Sequence, residues 1–312
     1  MPTRLQVQLP RRATRIRPTA VVRDRLAADL ASGASLPVEP IPVARLTHSV
    51  RVAAIGDFHT RVDRPFLFGP ALLNVSNQAD LLLIAGDLTD SGRVEEFALV
   101  ADVLGAVTVP VVAVLGNHDR RGLRRVAMRR TLENAGVILL DGESVVLNVS
   151  LAESDRESAR IGVVGIGGYG GGFWPDEIGA GPPLDRATQA FAVRARREAA
   201  RLDATLTQSS TDVDARIVLM HYSPTSSTLG REPLVKYWML GNIELARVID
   251  RYDVYLVVHG HAHLGNPAGR TIGGTPVRNV ATQVIGRPVV YLLGDDAAIV
   301  ESATASPLAG AK

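Results

Sequence analysis

Cysteine is absent from the 312 residues. That removes disulfides, cysteine-ligated zinc, iron–sulfur clusters and a catalytic thiol, so any metal site must be built from His, Asp, Asn and Glu. Lysine is almost absent too: of 34 basic residues only Lys236 and Lys312 are lysines. The arginines face 32 acidic residues and leave a net charge of +2, a weak case for a nucleic-acid partner, and no basic stripe is interleaved with aromatics. No apolar run approaches the roughly 18–20 residues of a membrane span. The N-terminus carries Arg4, Arg11, Arg12, Arg15 and Arg17 but lacks the apolar stretch of a secretory signal, so the expected location is cytoplasmic.

What is present is an ordinary globular composition, 46% hydrophobic and 21% charged, on a chain long enough to bury a large core. Residues 1–48 read as a basic extension punctuated by Pro10, Pro18, Pro37, Pro40 and Pro42, irregular apart from a short helix expected over 19–31. Its arginines read as a solvated arm. Residues 49–298 read as one domain and 299–312 as a flexible tail. Within the domain, short Val/Ile/Leu runs recur at 50–55, 80–85, 109–115, 161–166, 216–220, 254–258 and 289–293. Runs apolar on both faces are buried strands. Helical patterns fall between several of them, at 66–79, 93–105, 123–135, 187–202 and 243–251. Strands alternating with helices predict an α/β fold.

The polar residues cluster where these strands end. Asp57, Asp87 and Asn117 stand 30 positions apart, about one strand–helix–strand unit. Each unit therefore delivers a polar residue just past the carboxyl end of its strand, where open α/β sheets bind ligands. The strand ends read Gly56-Asp57-Phe58-His59, Gly86-Asp87, Gly116-Asn117-His118-Asp119, Met220-His221 and Gly260-His261-Ala262-His263. Five of the seven histidines lie in these motifs; only His48 and His259 do not. Buried without compensation, so many polar groups would cost several kcal/mol. A metal centre compensates them. Carboxylate, amide and imidazole together suit Mn²⁺, Fe²⁺ or Zn²⁺, and the donors are too many for one tetrahedral zinc but about right for two ions sharing a carboxylate.

The ordered series D-x-H, G-D, G-N-H-D, H, G-H-x-H resembles the calcineurin-like metallophosphoesterase superfamily over about residues 50–295. The resemblance implies a four-layer α/β/β/α sandwich of two mixed β-sheets flanked by helices. It implies that Asp57, His59 and His263 bind one divalent ion, that Asn117, His221 and His261 bind a second, and that Asp87 bridges both. His118 would face the substrate as general acid or transition-state stabiliser, with Asp119 orienting it. The implied reaction is hydrolysis of a small-molecule phosphoester by a metal-bridging hydroxide. A phosphodiesterase is favoured, because the third motif and the compact size resemble bacterial phosphodiesterase-like members. The alternatives are a phosphomonoesterase, protein phosphatases included, and a non-catalytic scaffold that kept the fold.

Other residues carry weaker expectations. His259 reads as a strand-end histidine turned away from the site, and Asp90 and Ser91 as helix N-caps. Arg120, with Arg121 beside it, is a candidate phosphate ligand, and so is Tyr222. The run Gly165–Gly172 reads as a flap beside the site or a plain surface loop. Residues 222–242 form a candidate specificity loop, with a contact between copies of the chain as the competing reading, so a homo-oligomer stays open.

Overall fold

The computed structural model describes residues 35–46, 48–64, 66–150, 158–173 and 186–294. The helix expected over 19–31, Trp174 and the tail 299–312 lie outside the described residues.

Among the described residues twelve strands form two six-stranded sheets. The first takes the order β1-β12-β2-β3-β4-β5, from β1 (Val38–Pro42), β2 (Val50–Ile55), β3 (Leu81–Ile84), β4 (Val111–Val114), β5 (Val137–Leu140) and β12 (Val289–Gly294). The second runs β10-β11-β9-β8-β7-β6, from β6 (Glu143–Ser150), β7 (Ser158–Ile166), β8 (Ala215–Met220), β9 (Leu256–His259), β10 (Ala268–Arg270) and β11 (Pro276–Asn279). Both sheets are mixed. Strands β2 to β5 are mutually parallel, as are β7, β8, β9 and β11, while β12 runs antiparallel to β2 and β6 to β7. The helices are α1 (Gly69–Gln78), α2 (Val94–Leu104), α3 (Arg125–Asn134), α4 (Arg186–Gln208), α5 (Tyr237–Leu240), α6 (Ile243–Ile249) and α7 (Thr282–Ile285).

The period-two alternation of side chains along each strand sorts the core into layers. Val52, Ala54, Leu81, Leu83, Val112 and Val114 face the other sheet, where they meet Ile161, Val163, Ile217, Leu219, Leu256 and Val258. Their neighbours Ala53, Ile55, Leu82, Ile84 and Ala113 face outward onto Leu72, Phe97, Leu104, Met128 and Leu132 of α1, α2 and α3. On the far side Val164, Val218, Met220 and Val257 meet Leu202, Leu206, Leu245 and Ile249 of α4 and α6. This is the four-layer sandwich that the resemblance implied, and it explains why the strands read as apolar on both faces.

One expectation changes. Residues 38–42 are not part of an irregular arm: they are β1, an edge strand paired in parallel with β12. Pro40 and Pro42 hid it, because proline is tolerated only where a backbone donor is dispensable, as on an edge. Strands β5, β6, β10 and β11 were also not legible as apolar runs.

Candidate metal centre

The carboxyl ends of β2, β3 and β4 from one sheet, and of β8 and β9 from the other, open onto the same edge of the sandwich. The loop after β2 is stitched to the loop after β3 by Asp57 N to Gly86 O (2.9 Å), His59 N to Asp87 O (3.0 Å) and Asp90 N to Thr60 O (3.0 Å). Glycine is required at the joints. Gly86 sits at φ +86°, and a Cβ there would press on Gly116 N and the His221 ring. A Cβ at Gly116 would strike the Asp87 carboxylate. Among the described residues four non-glycines adopt positive φ: Asp57 (+60°), His59 (+46°), Asp87 (+49°) and His261 (+69°). All four are residues implied as metal ligands. Backbone strain of this kind costs of order 1–3 kcal/mol each and concentrates at functional sites.

The side chains converge as two groups. In the first, His263 Nε2 lies 2.8 Å from Asp57 Oδ1 and 3.4 Å from His59 Nε2. In the second, His221 Nε2 lies 3.0 Å from Asn117 Oδ1, and His261 packs beside His221 with ring centroids 4.8 Å apart. Asp87 stands between them: Oδ2 is 3.6 Å from His59 Nε2 and Oδ1 is 3.5 Å from His221 Nε2. Asp57, His59 and His263 can hold one cation, and Asp87, His221 and His261 another. The donor set fits. Bonds of about 2.1 Å to one ion leave neighbouring ligand atoms about 3–3.5 Å apart, and the oxygen and nitrogen donors suit a first-row divalent metal.

Backbone carbonyls aim the imidazoles. His221 Nδ1 donates to Ala85 O (2.8 Å), leaving the Nε2 lone pair on the Asn117 and Asp87 side. His261 Nε2 donates to Met239 O (3.2 Å). A carbonyl only accepts, so each contact fixes a tautomer. Burial pushes His59 down to about 3 and His221 to about 4, and holds His261 well below the ordinary value, so all three stay neutral as ligands must. Burial works against the Asp57 carboxylate, but His263, His221 and His59 outweigh it and hold Asp57 below the usual carboxylate range. Asp87 moves the other way. Burial and the neighbouring Asp119 and Asp57 raise it well above that range.

His118 lies on the open side of the centre. Its Nδ1 donates to Asp90 O (2.8 Å), and its Nε2 accepts from Arg121 (2.9 Å). Those two bonds define a neutral ring. Asp90 is thus part of the site and not a helix N-cap; its carboxylate lies 3.6 Å from His118 Nδ1 and 3.1 Å from Arg61. The helix cap is made instead by Glu96, which reaches back to Ser91 N (2.9 Å) and Arg93 N (3.3 Å). The Asp119 carboxylate makes no hydrogen bond to the His118 ring. Buried, it accepts from Thr89 N, Thr89 Oγ1, Leu88 N and Gly116 N, tying the β3 loop to the β4 loop. Arg120 turns away to Asp141 (2.9 Å), so Arg121 is the arginine at the site. Tyr222 stacks obliquely on His261 with ring centroids 4.3 Å apart.

The segment 222–242 packs against the centre. Glu232, within the candidate specificity loop, accepts from Gly230 N (2.7 Å) and Leu264 N (2.9 Å) and so ties this segment to the His261–His263 loop. The glycine run after β7 is no free flap: Gly171 N and Gly172 N both donate to Gly241 O, and Gly167 O accepts from His221 N. A Cβ at Gly170 would collide with the backbone of Trp238 and Met239.

These residues lie inside a single sequence match. The pattern that defines calcineurin-like phosphoesterases covers residues 50–265. The chain belongs to the calcineurin-like phosphoesterase family. Members are metal-dependent phosphoester hydrolases, which accords with the Asp/His groups above. Glycerophosphodiester phosphodiesterase GpdQ of Enterobacter lignolyticus (strain SCF1) is 31% identical over 80 residues, 22% of this chain; the chain spans only 29% of that relative's length. Among solved structures, phosphopantetheinyl hydrolase (PptH) from Mycobacterium tuberculosis superposes with a TM-score of 0.50 at 18% identity, over 78% of this chain and 89% of that one. Calcineurin-like phosphoesterase YfkN from Bacillus subtilis superposes with a TM-score of 0.42 at 14% identity, over 78% and 81%.

His259 points away from this phosphoesterase's metal centre, as expected. It is fully buried, with Nδ1 on Gly260 O and Nε2 on Thr228 Oγ1, both at 2.8 Å. Burial holds its pKa down to about 4. A histidine depressed in the folded state stabilises fully above its unfolded pKa near 6.5, and this contribution is lost as pH falls toward 4. Urea unfolding of the parent and of His259→Gln at pH 7 and pH 5 should therefore show the parent's advantage shrinking by about 2 kcal/mol at pH 5, at 1.36 kcal/mol per pH unit. An advantage independent of pH would refute the assignment.

Proposed function

We propose that this calcineurin-like phosphoesterase hydrolyses phosphodiesters of small molecules with two divalent ions. Asp87 carries the reading, because its two oxygens face the two ligand groups separately. Asp57, His59 and His263 would hold one ion, Asn117, His221 and His261 the other, and Asp87 both. Ions bound there supply Lewis acidity toward phosphoryl oxygens and lower the pKa of water in the site.

The chain's own residues bind and orient the ester. Arg61 is neutralised by Asp63 and Asp90, and Arg120 by Asp141. Arg121 is then the arginine whose guanidinium reaches His118 at the mouth. One guanidinium matches the single charge of a diester better than the two charges of a monoester. A diester that draws Arg121 onto its non-bridging oxygens releases His118 Nε2, which is then free to hold the proton that the leaving oxygen requires. The short match to a glycerophosphodiester phosphodiesterase points the same way.

The test is to strip the protein with chelator, restore Mn²⁺, and compare bis-p-nitrophenyl phosphate with p-nitrophenyl phosphate. Metal-dependent turnover favouring the diester is expected. Preference for the monoester would make the protein a phosphatase. No turnover of either with Mn²⁺, Fe²⁺ or Zn²⁺ would leave a scaffold that kept the fold.

A further inference from the structure

Helix α3 has an inner face filled by Met128 and Leu132, both buried against the first sheet. Two large apolar side chains at its start have no core to join. Leu123 is 99% exposed and Val126 67% exposed. Around them stand Arg121, Arg124, Arg125 and Arg130. Arg120 and Arg129 are taken by Asp141, Glu133 and Glu143, but among the described residues no carboxylate pairs with these four. Leu123, Arg124, Arg125, Val126 and Arg130 line one open groove. The turn that presents them is held firmly. Gly122 packs so closely on Gly92 O that a Cβ there would clash.

We propose that this face docks on an anionic lipid bilayer. The argument is complementarity of both kinds on one small patch. Leu123 and Val126 leave water for the boundary between headgroups and acyl chains, while the arginines snorkel to lipid phosphates, which accept their paired N–H donors. Each arginine near an anionic surface adds attraction that decays within a Debye length. A nucleic acid would satisfy the arginines and give Leu123 nothing. A protein partner would need a larger apolar area than two side chains provide. Docking needs no membrane-spanning helix, and none of the described helices is long and apolar enough to be one. Arg121 links the patch to His118 at 2.9 Å, so a docked molecule would hold its catalytic mouth beside the headgroup layer. The docking itself does not depend on which phosphoester is cleaved.

Sedimentation with vesicles tests it, using phosphatidylcholine alone and phosphatidylcholine mixed with phosphatidylglycerol. The full chain should partition onto the anionic vesicles about tenfold more strongly than onto the neutral ones. Leu123→Ser should lower that binding about tenfold, and Arg124→Glu/Arg125→Glu should lower it further. Turnover of the soluble diester without vesicles should be unchanged in both variants, which shows that they are folded. Failure of the parent to bind anionic vesicles overturns the proposal. So does a Leu123→Ser variant that binds like the parent, since attraction by charge alone would equally describe any polyanion.

Discussion

Replacing Asp87 by alanine is expected to lower diester turnover by about a thousandfold or more and to leave at most one ion bound. Mutating a partner of a metal ligand commonly costs 10–100-fold, so a ligand shared by two ions should cost more. Two distances support the proposed sharing. Oδ2 faces His59 at 3.6 Å and Oδ1 faces His221 at 3.5 Å, and the backbone adopts φ +49° to place it there. Without ions the same carboxylate is a liability, because burial, Asp119 and Asp57 all disfavour its charge. Asp87→Asn keeps the shape and still accepts from His118 N, now 2.8 Å from Oδ1. It should therefore be nearly inactive yet melt higher than the parent when both are metal-free, a trade of stability against activity. Metal analysis beside thermal melting in chelator reads both halves. An Asp87→Asn protein that holds two ions and turns over within tenfold of the parent would remove the bridging role.

His118→Ala should lower kcat by about a hundredfold to ten-thousandfold while both ions stay bound, the range for a lost proton-transfer group. His118 already has a partner on each ring nitrogen, Asp90 O on Nδ1 and Arg121 on Nε2, so its loss leaves the two ligand groups complete. Arg121→Ala should behave differently. It should raise KM about tenfold and reduce kcat less, because a group that binds the ester equally before and during reaction contributes uniform binding. Steady-state kinetics with metal content measured on the same samples separates the two. Loss of an ion from His118→Ala would make His118 a ligand and end its assignment to the leaving oxygen.

Much of this centre is legible in the amino-acid sequence. Apolar runs fell within a few residues of β2, β3, β4, β8 and β9, and a polar residue just past a buried strand has few places to be except the sheet's ligand-binding edge. The 30-residue spacing of Asp57, Asp87 and Asn117 follows from the strand–helix–strand unit. Other features depended on how loops fold. Asp90 and Asp119 are both aspartates near strand ends, yet one carbonyl orients His118 and the other carboxylate locks two loops together. Arg120 and Arg121 are adjacent and diverge, one to Asp141 and one to His118.

The sequence by itself therefore determined the alternation of strands and helices and the placing of Asp, Asn and His just past strand ends, because both rest on local periodicity, while the sharing of those residues between two ions is what the family resemblance implies. Only the tertiary structure decided which neighbour of a ligand reaches the site, that Glu232 braces the His261 loop, and that Leu123 is left in water. Those outcomes turn on backbone dihedrals in short loops and on contacts between residues far apart in the chain, such as Glu232 with Leu264, which no local pattern encodes.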